Sequence, residues 1–269
     1  MDQSEKAKRF LELHEPGQPL LMANAWDAGS ARILESLGYQ GLATTSSGFA
    51  ATLGKLDGAA TLEEVLAHCA AVAAATGLPV SADFENGYAH EPEAVAANYE
   101  LAMATGLAGA SIEDYSADKD DPIYEASLAA ERVAAAVAVA HAGPVHFVIT
   151  ARTEIYLRGR PNIDEALERL ASFKDAGADV LFAPGMTDPE EIRRTTEIGL
   201  PVNVLLRPNG PSVAELAELG VARTSVGGSF AFLAYAGLVE AATALLERQS
   251  TDWYGAVAEG GRAARTAFS

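Results

Sequence analysis

Short apolar runs alternate with longer stretches of helical period along most of the chain. The runs at 20–24 (LLMAN), 41–46 (GLATTS), 79–83 (PVSAD), 109–113 (GASIE), 146–151 (HFVITA), 179–183 (DVLFA), 201–206 (PVNVLL) and 222–226 (ARTSV) predict strands. Helices are predicted at 28–37, 61–76, 92–105, 126–141, 163–176, 188–198, 212–219 and 230–248. Glycine follows many of the helical stretches, as in "ESLGYQG", "ATGLAG", "DAGADV" and "ELGVAR", where a helix C-terminus commonly needs a left-handed residue. Thr61, Asp188 and Ser212 read as N-caps.

Strand–helix alternation predicts a parallel sheet. Eight such units without a break in composition predict an α/β fold, a (β/α)8 TIM-type barrel occupying residues 1–269 as one domain. An open doubly wound sheet is the structural alternative, but no GxGxxG follows the first strand. Residues 249–269 form a C-terminal helical extension, with a helix at 251–266 that packs on the barrel or on a neighbouring subunit.

Charge narrows the function. The net charge of -18 and the absence of a basic patch argue against nucleic acid as a partner. The charged N-terminus lacks an apolar segment, and no uninterrupted apolar run reaches the ~18 residues of a spanning helix. A cytoplasmic protein with no membrane partner is expected. Cys69 is the only cysteine, lies in an apolar-rich run and reads as a core residue.

In a barrel the catalytic groups sit at the C-terminal ends of the strands. Those ends carry Asn24 and Asp27, Thr44 to Ser47, Asp83 and Glu85, Glu113 and Asp114, and Arg152 and Glu154, a polar crown over an apolar barrel. Each alone fits a turn or a helix cap; their convergence on one rim points to a site. Carboxylates with few histidines favour a hard, oxygen-loving cation such as Mg²⁺, with Mn²⁺ as the alternative ion. No histidine pair shows metal-ligand placement, and His90 is the one histidine near the rim. Arg152 offers a fork of donors for a carboxylate or phosphonate. The hydroxyls and amides of Thr45, Ser46, Ser47 and Gly48 suit a second anionic group. Together these fit a small 2-oxo or 2-hydroxy acid as substrate.

The segments "NAWDAGSARILESLGYQGLATTSSGFAATLGKLDG", "PVSADFENGYAHEPEAVAANYELAMATGLAGASIED", "ITARTE" and "DEALERLASFKDAGADVLFAPG" resemble the isocitrate lyase/phosphoenolpyruvate mutase superfamily over roughly residues 20–230. The resemblance implies an α/β barrel, Mg²⁺, a pyruvate-like enolate and a homotetramer that often exchanges a C-terminal helix. It places metal carboxylates on Asp57, Asp83, Glu85 and Glu113, with Asp83 as direct ligand. It places substrate-binding groups on Thr45, Ser46, Ser47 and Arg152.

The sequence also departs from the superfamily's pattern. Glu85 stands where a second aspartate is usual, and Ala89 replaces a glycine. The loop after Glu113 lacks the Lys-Lys-Cys-Gly-His motif of isocitrate and methylisocitrate lyases. Lys119 matches a lysine of the phosphonate mutases, but Asp121 replaces their asparagine and Pro184 a histidine. The favoured reading is an Mg²⁺-dependent lyase cleaving a C–C bond, with Arg152 and Thr45 at the substrate and Lys119 or Tyr88 carrying a proton. The alternatives are P–C bond chemistry (phosphonomutase or phosphonopyruvate hydrolase), a sugar-phosphate site at 225–228, and a non-catalytic small-acid binding protein.

Overall fold

The computed structural model describes every residue of the chain except Lys119. In chain order the elements are α1 (Gln3–Glu12), β1 (Leu20–Ala25), α2 (Ala28–Ser36), β2 (Leu42–Thr44), α3 (Ser46–Thr52), α4 (Leu62–Ala75), β3 (Val80–Ala82), α5 (Pro92–Met103), β4 (Gly109–Glu113), α6 (Ala126–Ala140), β5 (Val148–Arg152), α7 (Ile163–Asp175), β6 (Val180–Phe182), α8 (Pro189–Thr196), β7 (Val202–Leu205), α9 (Val213–Glu218), β8 (Arg223–Ser225), α10 (Ser229–Arg248) and α11 (Tyr254–Phe268). The eight strands are parallel and close in sequence order, β8 pairing with β1 through Leu20–Arg223 and Met22–Ser225. The predicted barrel with an extra C-terminal helix is therefore the observed fold.

Strands covered on both faces need continuous apolar runs rather than alternation. β4 and β6 accordingly bury every residue. The helices turn small residues inward: α6 buries Ala129, Val133, Ala136 and Ala140, at the three- and four-residue spacing of one helical face. Cys69 is buried on α4, and burial pushes its thiol up to about 12, as a core cysteine requires.

Two elements lie outside the sequence prediction. α1 starts at a capping box between Asp2 and Glu5 and buries Ala7 and Phe10. Its apolar face joins Leu20, Met22, Ala108, Val148 and Val180 to plug the N-terminal end of the barrel. α3 begins two residues after β2, because Thr45 leaves the strand to cap it and accepts from the Gly48 amide at 3.3 Å. The predicted strand 41–46 is shortened for that reason.

The barrel interior is also more polar than the expected apolar barrel. Asn24, Ser81, Ser111, Asn203, Ser225 and Arg223 face the cavity. Arg223 is buried and donates to Thr150 Oγ1 at 3.1 Å, with His14 Nε2 at the same distance. Burial and the Arg223 charge lower the His14 pKa to about 3, so its ring is neutral and its Nδ1–H donates to the Phe10 carbonyl.

The histidines differ from expectation as well. The chain reverses between α6 and β5, which stacks His141 on His146 with ring centroids 4.1 Å apart beside Asp179.

The C-terminal helices divide their roles. α11 packs on α2, with Arg32 over the Phe268 ring at 5.5 Å. α10 buries only Ala231 and Ala244 and exposes Phe232, Leu233, Leu238, Val239, Leu245 and Leu246. By length and composition α10 could cross a membrane, with a mean hydropathy of 1.6 over its most apolar window. Glu240 interrupts the run, in keeping with the expectation that no uninterrupted apolar run reaches about 18 residues.

Gly109 shows how tightly the sheet closes. A Cβ there would lie 2.5 Å from the Val148 carbonyl oxygen and 3.3 Å from the Phe10 ring. Gly109→Ala is expected to destabilise the fold by about 2–3 kcal/mol, in the range of overpacked cores. Urea unfolding checks this; an unchanged midpoint would show that the strands can separate to admit the methyl.

Candidate active site

The C-terminal ends of the strands surround a cavity of about 200 Å³. Thr45, Ser46, Ser47, Asp57, Asp83 and Arg152 line its polar side, and Leu157, Phe182, Pro184 and Leu205 its apolar side.

Arg152 ends β5 and is paired in register with Glu113 at the end of β4. Its Nε lies 2.5 Å from Glu154 Oε1 and 3.3 Å from Glu113 Oε2, and its Nη1 lies 3.3 Å from Asp83 Oδ1. Burial opposes its charge, but Glu113, Glu154 and Asp83 together raise its pKa and keep it protonated. Its Nη2 makes no protein hydrogen bond among the described residues.

Asp83 follows β3. Its backbone amide donates to Thr44 Oγ1 at 2.9 Å, and its Oδ2 accepts from the Ser46 amide at 3.0 Å. Ser46 thus spends its backbone donor on Asp83 instead of a bound anion. The Ser47 amide makes no such bond among the described residues, and the Ser47 hydroxyl meets Thr45 Oγ1 at 3.2 Å. Asp57 comes from the exposed loop before α4, with its carboxyl turned to the cavity mouth. Desolvation raises its pKa, a hydrogen bond to Ser46 opposes this, and the Asp83 charge raises it further.

Glu85 and Glu113 stand beside the cavity, outside its lining. The chain does not stay extended past Asp83. Glu85 is left-handed (φ 46), and so are Gly87 (φ 73) and Tyr88 (φ 56), so the chain curls into a tight loop after Asp83. Only at Gly87 does that conformation cost no Cβ strain. The Glu85 carbonyl accepts from the Glu113 amide at 3.0 Å, while its Oε1 accepts from the Tyr88 hydroxyl. Desolvation chiefly raises the Glu85 pKa to about 7, with Asp83 and Asp57 adding repulsion against the Tyr88 hydrogen bond. Burial raises the Glu113 pKa well above normal, opposed by Arg152 and reinforced by the Glu154, Asp83 and Glu85 charges. Tyr88, expected as a proton carrier, is committed as a donor to Glu85, and burial and the Glu85 charge push its pKa up. Lys119, the other expected proton carrier, lies outside the described residues. Asp121 is exposed and faces Arg160 at 4.0 Å.

Asp57, Asp83, Glu85 and Glu113 gather around one guanidinium, and burial together with the Asp83 charge raises the pKa of Asp57, Glu85 and Glu113, so this donor set has an unmet demand for positive charge. All donors are oxygens, which fits Mg²⁺ or Mn²⁺ and disfavours a soft ion.

Several polar residues of the crown serve the frame instead. Asp114 accepts from the Thr153 hydroxyl at 2.7 Å and the Glu154 amide at 2.8 Å, and pairs with Arg169 at 3.4 Å. Glu154 holds both Arg152 and Arg158. Asn24 Oδ1 accepts from the Val226 and Gly227 amides at 3.0 and 2.9 Å. A Cβ on Gly228 would lie 2.6 Å from Ser47 Oγ. The 225–228 turn is thus close packing, with the Gly227 donor already used, which removes the basis for a sugar-phosphate site. His90 bonds Tyr124 OH through Nδ1 at 2.5 Å and stays outside the cavity lining.

Arg132 is the supporting residue that sequence reading missed. It is buried on α6 and donates to the carbonyls of Asn86, Ala89 and His90, fixing the loop that follows Asp83. The only signal was an arginine on an alanine- and valine-rich helix face.

Residues 10–246 match the phosphoenolpyruvate phosphomutase family. The chain belongs to this family, within the isocitrate lyase/phosphoenolpyruvate mutase superfamily. A candidate lyase or mutase from Burkholderia cenocepacia J2315 has a TM-score of 0.91 to it and 44% identity, over 94% of this chain and 92% of that one. Oxaloacetate acetylhydrolase in complex with its product oxalate has a TM-score of 0.82 and 27% identity, over 93% of this chain and 89% of that one. 2,3-Dimethylmalate lyase of Eubacterium barkeri is 30% identical over 197 residues, 71% of this chain and 67% of that enzyme. The chain thus belongs to a superfamily whose members are C–C lyases and mutases.

Glu85 gives a pH signature. Its ordinary value is 4.5 and its folded value about 7, so between these the folded protein keeps a proton that the unfolded chain has released. That contribution favours folding at low pH and is lost as the pH rises through the window. In chelator-treated protein, Glu85→Gln should gain on the order of 2–3 kcal/mol over the wild type between about pH 4.5 and about pH 8. A constant difference in urea unfolding across that range would show that Glu85 titrates normally.

Proposed function

We propose that this chain is an Mg²⁺-dependent lyase that cleaves a C–C bond beside the carboxylate of a small 2-oxo or 2-hydroxy acid. The observation that carries this reading is the shared cavity of Arg152, Asp57 and Asp83, where an anion-binding fork and cation-binding carboxylates meet.

Each side chain has a role in this reading. Arg152 presents Nη2 to the substrate carboxylate, while its other nitrogens are fixed by Glu113, Glu154 and Asp83. Asp83 holds the ion directly, and Asp57, Glu85 and Glu113 orient its waters. Thr45 and the Ser47 amide steady the oxygen that gains charge; the Ser46 backbone holds Asp83. Lys119, or Tyr88 acting through Glu85, carries the proton. Bound Mg²⁺ supplies polarisation of the substrate oxygen and counter-charge to a pyruvate-like enolate. Leu157, Phe182, Pro184 and Leu205 exclude water from one side of the cavity.

P–C bond chemistry is the second reading, supported by the phosphomutase family match. A panel of oxaloacetate, substituted malates and phosphonopyruvate, assayed with millimolar Mg²⁺, separates the two. The proposal expects C–C cleavage that Asp83→Ala reduces by at least about three orders of magnitude, as for loss of a group acting in the transition state. Phosphate release or phosphoenolpyruvate formation from phosphonopyruvate alone would favour the second reading. Tight oxalate binding without turnover of any member would favour a binding protein.

The proposal extends to a cytoplasmic homotetramer that exchanges its C-terminal helix and engages no membrane or nucleic acid. The exposed apolar face of α10 and the groove lined by Trp26, Ile33, Leu34, Tyr39 and Phe230 support this assembly. Light scattering should give about 112 kDa, four times the 28.0 kDa chain mass. Leu246→Glu, on the exposed face, should shift the population toward smaller species. A 28.0 kDa particle for the wild type would remove the assembly.

A further inference from the structure

A second cluster of ligating side chains lies at the opposite end of the barrel. His141 caps the C-terminus of α6, His146 precedes β5 and Asp179 precedes β6. β5 is five residues long, so the cluster and Arg152 lie about 17 Å apart along the barrel.

The geometry of the three side chains is convergent. His146 Nε2 lies 2.7 Å from Asp179 Oδ1, and His141 Nε2 lies 3.1 Å from Oδ2. The two rings are stacked, with an interplanar angle of 21°. One ligand atom from each of the three residues falls within 4.8 Å of the other two. Asp179 is fixed from behind: its Oδ2 accepts from the Ile149 amide at 2.8 Å, and its own amide donates to the Ile149 carbonyl at 3.0 Å. Oδ1 is left facing the imidazoles. The loop carrying His146 is tied back by Phe147, whose amide donates to the Ala140 carbonyl at 3.2 Å.

We propose that His141, His146 and Asp179 form a binding site for Zn²⁺ that clips the α6–β5 connection to the start of β6. Two imidazoles and one carboxylate select a borderline transition metal over the hard ions that suit the upper rim. Tetrahedral Zn²⁺ needs ligand atoms about 2.0–2.2 Å from the ion and hence roughly 3.3 Å from one another. A small rotation of the exposed His146 ring meets that spacing, with each histidine neutral and ligating through Nε2. Three protein ligands leave one position for water on the solvent side. The clip ties the C-terminus of one barrel helix to the two strands that follow, so it acts on stability at a distance from the chemistry.

The test uses the full chain, stripped with chelator and returned to buffer with millimolar Mg²⁺ to occupy the upper carboxylates. Zinc is then titrated in competition with a chromogenic chelator, and the melting temperature is read in parallel. The wild type should take up one equivalent of Zn²⁺ and gain thermal stability. His146→Ala and His141→Gln should bind at least about 10–100-fold more weakly, a loss that even an outer-sphere partner can cause, and should gain no stability. His146 is exposed, so His146→Ala is expected to keep the wild-type circular dichroism and guards against a folding artefact. No uptake by the wild type, equal uptake by both variants, or uptake abolished by Mg²⁺ would each overturn the proposal.

Discussion

Arg152 brings one positive charge to the mouth of the barrel and shares it among Asp83, Glu113 and Glu154. These carboxylates come from the ends of β3 and β4 and the turn after β5. Without the guanidinium, the acids would face one another in a poorly solvated space where like charges are costly. With it, three neighbouring strand ends are drawn together and Asp83 is held at the cavity edge. The charge is still undercompensated, since Asp57 and Glu85 add to the acids around the same point. Surplus negative charge of this kind favours a cation.

A second layer keeps this arrangement rigid. Asp114 binds the backbone and hydroxyl of the Thr153–Glu154 turn and is itself held by Arg169 from α7. Arg132 grips three carbonyls of the loop that carries Glu85 and Tyr88. Both arginines reach inward from helices on the outside of the barrel. The site is therefore braced by the helical ring as well as by the strands, which suits groups that must hold position within a fraction of an ångström.

Much of this was legible in the chain. The run GASIE becomes β4 without change, and the other seven strands fall within two residues of their predicted limits. Glycines after helices signalled many of the ends, and Gly38, Gly106, Gly177, Gly199 and Gly220 do take positive φ. Family motifs brought Asp57 to the cavity of Asp83 and Arg152, a grouping that spacing alone could not supply. What stayed hidden was tertiary. α1 has a weak apolar pattern because only Ala7 and Phe10 are buried, yet it closes the barrel floor. The His141–His146 stack depends on how one loop reverses. The left-handed backbone at Glu85 and Tyr88 has no sequence signal, because those residues seldom adopt it.

The account rests on one cavity recognising an anion and a cation together. Calorimetric titration with oxalate, a mimic of an enolate, tests that directly. Oxalate should bind tightly when millimolar Mg²⁺ is present, weakly after chelation, and weakly in either condition when Arg152 is replaced by glutamine. Oxalate binding of equal strength with and without Mg²⁺, or undiminished in Arg152→Gln, would contradict the joint site.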